Sequence, residues 1–152
     1  MAGHETPSGV ILKIKKKAGA VVPQYETSGA AGLDLRAFIS SEIIIPPSAI
    51  AKVPTGLFME IPEGYEGQVR PRSGLAARSG ITVLNAPGTI DSDYRGEVEV
   101  ILINHGTAPF TVRNNDRIAQ LVLARTCRAE ITETDSLEDT KRGAGGFGST
   151  GV

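Results

Sequence analysis

The stretch ITVLNAPGTIDSDYRGEVEVILIN, Ile81 to Asn104, decides how the chain is read. It opens on a β-branched run, ITVLN, and closes on GEVEVILIN, where charged and apolar residues alternate in EVEV. Alternation at period two is the signature of a strand with one buried face. Between the two runs lies NAPG, a turn, because proline and glycine punctuate regular structure. Three polar residues able to do chemistry, Asp91, Asp93 and Tyr94, fall between turn and strand.

The same grammar extends in both directions. VILKIK (Val10 to Lys15), EIIIP (Glu42 to Pro46), IAKVPTGLFMEIP (Ile50 to Pro62) and YEGQVRPR (Tyr65 to Arg72) precede the opening stretch. FTVRNNDRIAQLVLART (Phe110 to Thr126) and AEITET (Ala129 to Thr134) follow it. The 18 glycines and 9 prolines fall mostly between these runs, and Asn114–Asn115 reads as a hairpin turn. Helical periodicity is confined to SGLAARSG, with Ser73 as a cap and Gly80 as a stop. No solenoid-length repeat is present. Many short strands with regular turns predict an all-β fold, a sandwich or barrel of jelly-roll type. The boundaries expected are a loose polar leader over 1–9, a barrel over 10–134 and an arm over 135–152. The arm is polar and glycine-rich and buries too little apolar surface to order itself.

Bulk properties narrow the function. The 152 residues suit one domain, and a net charge of −1 gives no global field favouring nucleic acid or membrane. The single cysteine, Cys127, rules out an intramolecular disulfide and is compatible with a reduced cytoplasmic setting. Two distant histidines without cysteine companions make a zinc site a poor reading. No apolar run reaches membrane-spanning length, and MAGHETPSG has neither part of a secretory signal. The lysines of KIKKK (Lys13 to Lys17) read as a solvated edge strand that blocks further pairing.

Several motifs carry chemistry, each with a plainer reading beside it. RGAGGFGSTG (Arg142 to Gly151) lets backbone amides approach an anion, with Arg142, Ser149 and Thr150 as further donors. It lacks the lysine and the strand–helix setting of a Walker A loop, and a glycine-rich tail is often a linker. Phe147 is odd in a linker and suits stacking on a flat base. RPRSG places Arg72, Ser73 and Gly74 at the start of a helical turn, either an anion site or an ordinary capped turn. Asp91, between Ile90 and Ser92, suits a general base acting on water, or is a common turn former. An Asp91–Asp93 glycosidase pair is disfavoured by a chain with no Trp, three Tyr and four Phe. Asp34, between Leu33 and Leu35, suits a water-mediated contact to Mg²⁺ or is an exposed strand residue. Gln120 sits among apolar residues, as a polar reader in a site or facing outward.

Taken in order, AAGLDLRA, PRSGLA, LNAPGTIDSDYRGEV, RIAQLVLA and RGAGGFGSTG resemble the five motifs of the trimeric dUTPase (dUTP diphosphatase) family. The resemblance runs from about Val10 to the C-terminus; one departure is RSG where the second motif has RSS. It implies a jelly-roll β-barrel homotrimer with three shared sites, each closed by a flexible C-terminal arm from a neighbouring subunit. It implies hydrolysis of dUTP to dUMP and pyrophosphate with Mg²⁺, limiting uracil incorporation into DNA and supplying dUMP for dTTP synthesis. By match of motif, Asp91 would be the base that orients water on the α-phosphorus. Tyr94 would exclude a 2′-OH, and Asn85 with backbone groups of Gly88, Thr89 and Ile90 would read uracil. Arg72, Ser73, Gly74 and Gln120 would hold phosphates, and Asp34 would reach Mg²⁺ through water, the ion being otherwise held by the substrate. Arg142, Gly148, Ser149 and Thr150 would hold the γ-phosphate end and Phe147 would stack on the base. The rival readings are a dCTP deaminase-like enzyme, which needs a glutamate near C4 of the base, and a non-catalytic nucleotide-binding barrel.

Overall fold

A computed structural model describes residues 9–148. The expected leader over 1–9 lies almost wholly outside them, as do Ser149 and Thr150. The strands are β1 (Lys13–Lys16), β2 (Leu33–Arg36), β3 (Ile43–Ile45), β4 (Ile50–Glu60) and β5 (Tyr65–Arg70). After the helix α1 (Ser73–Ser79) come β6 (Ile81–Val83), β7 (Gly88–Ile90), β8 (Glu97–Asn104), β9 (Phe110–Val112) and β10 (Arg117–Arg125). They form two four-stranded sheets, β1-β4-β8-β6 and β2-β10-β5-β7, and a β3-β9 ribbon, the jelly-roll barrel the sequence predicts. No helix among the described residues is long and apolar enough to cross a membrane.

Alternation makes the core. In β8, Val98, Val100, Leu102 and Asn104 face inward while Glu97, Glu99, Ile101 and Ile103 face out. β4 opposes it with Val53, Leu57 and Met59, and the second sheet adds Leu33, Leu35, Val69, Ile118 and Leu121. Each fully buried aliphatic side chain is worth about 1.5–3 kcal/mol over leaving it in water. β4 carries a bulge between Pro54 and Phe58. Gly56 adopts φ +69° there, and a Cβ on it would lie 2.8 Å from Ala20 Cβ and from Phe38 Cδ1. Only glycine meets both demands.

The lysine-rich β1 is an edge strand, as expected, with Lys13 paired to Glu60 at 2.7 Å and Lys15 over the Phe58 ring. Three expectations need correction. AEITET forms no strand: Ile131 is 89% exposed, and the run finds no pairing edge among the described residues. Asn114–Asn115 is a turn, with Asn115 at φ +71°, but not a hairpin. The strands it joins pair elsewhere, β9 with β3 and β10 with β2 and β5. NAPG is the turn expected, and it turns a corner between sheets, since β6 pairs with β8 and β7 with β5. At α1, the N-cap residue is Arg72 rather than Ser73, without a side-chain cap bond, whereas Gly80 stops the helix at φ +66° as anticipated.

Asn104 is the polar pin of this architecture. It is fully buried, donates from Nδ2 to Ile45 O and Ala108 O (both 2.8 Å) and accepts from Gly106 N at 2.8 Å. Asn104→Ala strands the buried Ile45 carbonyl and removes the partner of the part-buried Ala108 carbonyl and Gly106 amide, at a cost of about 3 kcal/mol. Thermal denaturation followed by circular dichroism should show Tm falling by roughly 6–12 °C for a chain of this size.

Candidate active site

The corner between β6 and β7 and the loop that follows it frame a cavity of about 250 Å³. Its walls include Asn85, Gly88, Thr89, Ile90, Asp91 and Tyr94, so six residues singled out in the sequence meet here. The volume lies below the roughly 300 Å³ low end of small-molecule sites. Gly88 is buried against Asn85, where a Cβ would come 3.2 Å from Nδ2.

The loop is held by its own backbone. Tyr94 N donates to Asp91 O at 3.1 Å, and Arg95 Nη1 donates to Ser92 O at 2.7 Å and Tyr94 O at 3.0 Å. Tyr94 lies over Gly96 and donates its hydroxyl to Glu97 O at 3.1 Å. A Cβ on Gly96 would collide with that hydroxyl and sit 2.9 Å from Cε2. Asp91 is exposed and also lines a second, polar cavity of about 860 Å³ with Asp93, Arg95, Glu66 and Arg128. Its carboxylate therefore stands at the junction of a small pocket and a larger wet one.

Besides Glu97, sequence reading missed two charged residues of the small cavity, Lys52 and Glu99. They pair at 2.9 Å, and the hydrogen bond and charge of Glu99 hold the Lys52 ammonium above the usual lysine range. The signal was the shared outer face of β4 and β8, invisible until the register Pro54↔Glu99 is known.

A second cluster gathers Asp34, Arg72, Ser73, Gly74 and Gln120. Asp34 bridges two arginines, Arg72 Nε at 3.3 Å and Arg117 Nη1 at 3.3 Å. Gln120 pairs with Asp34 and with Arg70 in the ladders and donates from Nε2 to Pro71 O at 3.0 Å. Gly32 lies against the Gln120 side chain, where a Cβ would sit 3.2 Å from Cδ. Ser73 is exposed at the first turn of α1, and Gly74 lies beneath the Arg78 guanidinium. Arg117 is the member that sequence reading missed. Its clue is its place on β10 three residues before Gln120.

The two clusters do not meet. Ile90 pairs with Gly67 at one end of β5, and Gln120 pairs with Arg70 at the other. Asp91 lies one residue beyond the first pairing and Arg72 two beyond Arg70, a separation on the order of 20 Å along an extended strand. Among the described residues, no hydrogen bond or ion pair joins the C-terminal segment to either cluster. Arg142 donates from Nε to Gly145 O at 2.8 Å, within the tail itself, and Phe147 is fully exposed at φ +53°. Gly148 follows at φ +83°.

The chain is thus a jelly-roll barrel with a small pocket and, apart from it, an arginine–carboxylate cluster. The dUTPase family model matches residues 18–151, and the chain belongs to that family. Among its relatives, deoxyuridine 5′-triphosphate nucleotidohydrolase of Methylocella silvestris is 57% identical over 144 residues, covering 93% of this chain and 90% of the relative. A point mutant of the dUTPase of Staphylococcus bacteriophage 80alpha, solved with dUpNHpp, superposes with a TM-score of 0.84 at 23% identity, covering 93% of this chain and 99% of that one. A point mutant of the dUTPase of phage phi11 of S. aureus, solved with a structural Mg(II) ion, gives 0.76 at 20% identity over 85% of this chain and 99% of that one.

Gly96→Ala should cost about 1–3 kcal/mol by overpacking and lift the Tyr94 hydroxyl off the Glu97 carbonyl. Near-ultraviolet circular dichroism, in a chain with three tyrosines and no tryptophan, reports the change. An unaltered tyrosine band would mean the ring does not depend on the bare backbone beneath it.

Proposed function

We propose that the chain hydrolyses dUTP to dUMP and pyrophosphate in sites shared between copies of itself, with Asp91 as the general base. The observation that supports this best is Asp91 exposed between the small pocket and the larger polar cavity. Uracil and deoxyribose occupy the small pocket, with Asn85 and the backbone of Gly88, Thr89 and Ile90 reading the base edge. Tyr94 packs on the sugar and leaves no room for a 2′-OH. Asp91 accepts a proton from water as the water oxygen attacks the α-phosphorus, and pyrophosphate departs. A positioned base contributes about 10²–10⁴-fold, and charge neutralisation supplies much of the remainder.

The phosphate-holding groups, Arg72, Ser73, Gly74 and Gln120, come from another copy, because within one chain they lie at the far end of β5 from Asp91. A homotrimer supplies both ends to each site. The C-terminal segment closes the site from a neighbouring copy, with Arg142, Gly148, Ser149 and Thr150 on the phosphates and Phe147 on the base, excluding bulk water. No group of three or more histidine, cysteine or carboxylate side chains among the described residues forms a metal cage. The donor set nonetheless fits Mg²⁺ carried on substrate phosphates, a hard ion that keeps several waters, with the Asp34 carboxylate reaching it through one of them. Bound there, the ion neutralises phosphate charge. Asp34 in turn aligns Arg72 and Arg117. A cytoplasmic location fits the free, exposed Cys127, and the product dUMP serves dTTP synthesis.

Pyrophosphate release measured with Mg²⁺ from dUTP, UTP, dTTP and dCTP tests the reading: release from dUTP alone is expected, and ammonia from dCTP would replace it with deamination. Asp91→Asn should lose at least 10²-fold in turnover and still bind dUTP; near-normal turnover would remove Asp91 as the base. Asp91→Asn and Arg72→Ala chains, each inactive alone, should regain about a quarter of wild-type activity when refolded together, by random assortment in a trimer. No recovery would mean the sites are not shared.

A further inference from the structure

Tyr94 makes one side-chain hydrogen bond among the described residues, to the carbonyl of Glu97, the first residue of β8. That residue sits where the β4–β8 ladder is interrupted. Regular pairing runs from Ile50↔Ile103 to Pro54↔Glu99 and resumes at Phe58↔Glu97. The gap is closed by side chains. Glu97 Oε1 accepts from Gly56 N at 2.9 Å, at the bulge, and Oε2 accepts from Lys17 Nζ at 2.7 Å. Lys17 N in turn donates to Gly56 O at 2.8 Å. The Glu97 side chain is only 18% exposed and lines the small cavity.

We infer that Glu97 is a positioning residue for sugar selection: by bolting the start of β8 to the β4 bulge and to β1, it fixes the carbonyl on which Tyr94 is anchored. The inference rests on the placement of Tyr94 against the deoxyribose. A charge-assisted bond to a backbone amide is short and directional, so the carboxylate sets the height of residue 97 against β4. With the side chain cut, the Phe58 pairing and the Thr55 hydroxyl on Val98 O are left to hold the end of β8, and the Tyr94 ring gains freedom to move away from Gly96. A 2′-OH then finds room. Neither Glu97 oxygen touches the reacting phosphorus, so the effect belongs in KM and in the choice of sugar rather than in the chemical step.

The test compares kcat and KM for dUTP and UTP in the full chain with Mg²⁺, for Glu97→Ala, Glu97→Gln and Tyr94→Ala. Glu97→Ala should raise KM for dUTP and cut the dUTP-over-UTP preference by about tenfold, the worth of one hydrogen bond, with kcat for dUTP little moved. Glu97→Gln keeps an oxygen for Gly56 N and should hold the preference within about twofold of wild type. A folded Glu97→Ala enzyme with wild-type preference would overturn the inference while leaving the Tyr94 reading intact, provided Tyr94→Ala loses the preference. An unchanged preference in Tyr94→Ala would sink both. If Glu97→Ala does not fold, Glu97→Asp decides: its carboxylate falls one methylene short of Gly56 N, and wild-type preference in that variant overturns the inference as well.

Discussion

The antiparallel pairing of β4 with β8 is the constraint on which the rest depends. Its inner face puts Val53 and Leu57 against Val98, Val100 and Leu102 and so makes one side of the core. Its outer face puts Lys52 beside Glu99 and forms a wall of the small cavity. Its one irregularity, at Gly56, is where Glu97 and Thr55 make side-chain links in place of ladder bonds, Thr55 Oγ1 donating to Val98 O at 2.6 Å. Packing and site geometry are therefore set by one register, because side chains alternate and a slip of one residue would exchange the two faces.

The second sheet sets a distance. β5 carries the small pocket's corner on one end, through β7, and the arginine–carboxylate cluster on the other, through β10. A strand is stiff, and no loop in the described chain folds one cluster onto the other. The chemistry needs both, since a base without phosphate contacts leaves the substrate charge unneutralised. The proposed sharing of sites between copies rests on this separation.

Electrostatics divide along the same line. The lone Asp34 between Arg72 and Arg117 leaves a net positive cluster suited to phosphates. The region around Asp91 is rich in carboxylates, Glu66 and Asp93 among them, and suits activation of water rather than anion binding. The surface ion pairs, Lys13–Glu60 and Arg113–Glu42, are exposed and contribute little to stability.

Much of the barrel was legible in the sequence, because period-two alternation and the spacing of glycine and proline are local properties. So were the members of both clusters, since the chemistry of Asp91, Tyr94, Asn85, Arg72 and Gln120 is carried by residue type and motif. What the sequence could not settle was pairing. Asn114–Asn115 looks like a hairpin locally but joins strands of different sheets, as the NAPG turn also does, and AEITET has strand composition but no partner edge among the described residues. Lys52, Glu99, Arg117 and Glu97 acquire their roles only through partners on other strands, from residues up to 83 positions away in the chain, as Asp34 is from Arg117. Residue type and local period are fixed by the chain order alone; which face meets which, and which carbonyl receives Tyr94, are fixed only when strands far apart in sequence share hydrogen bonds.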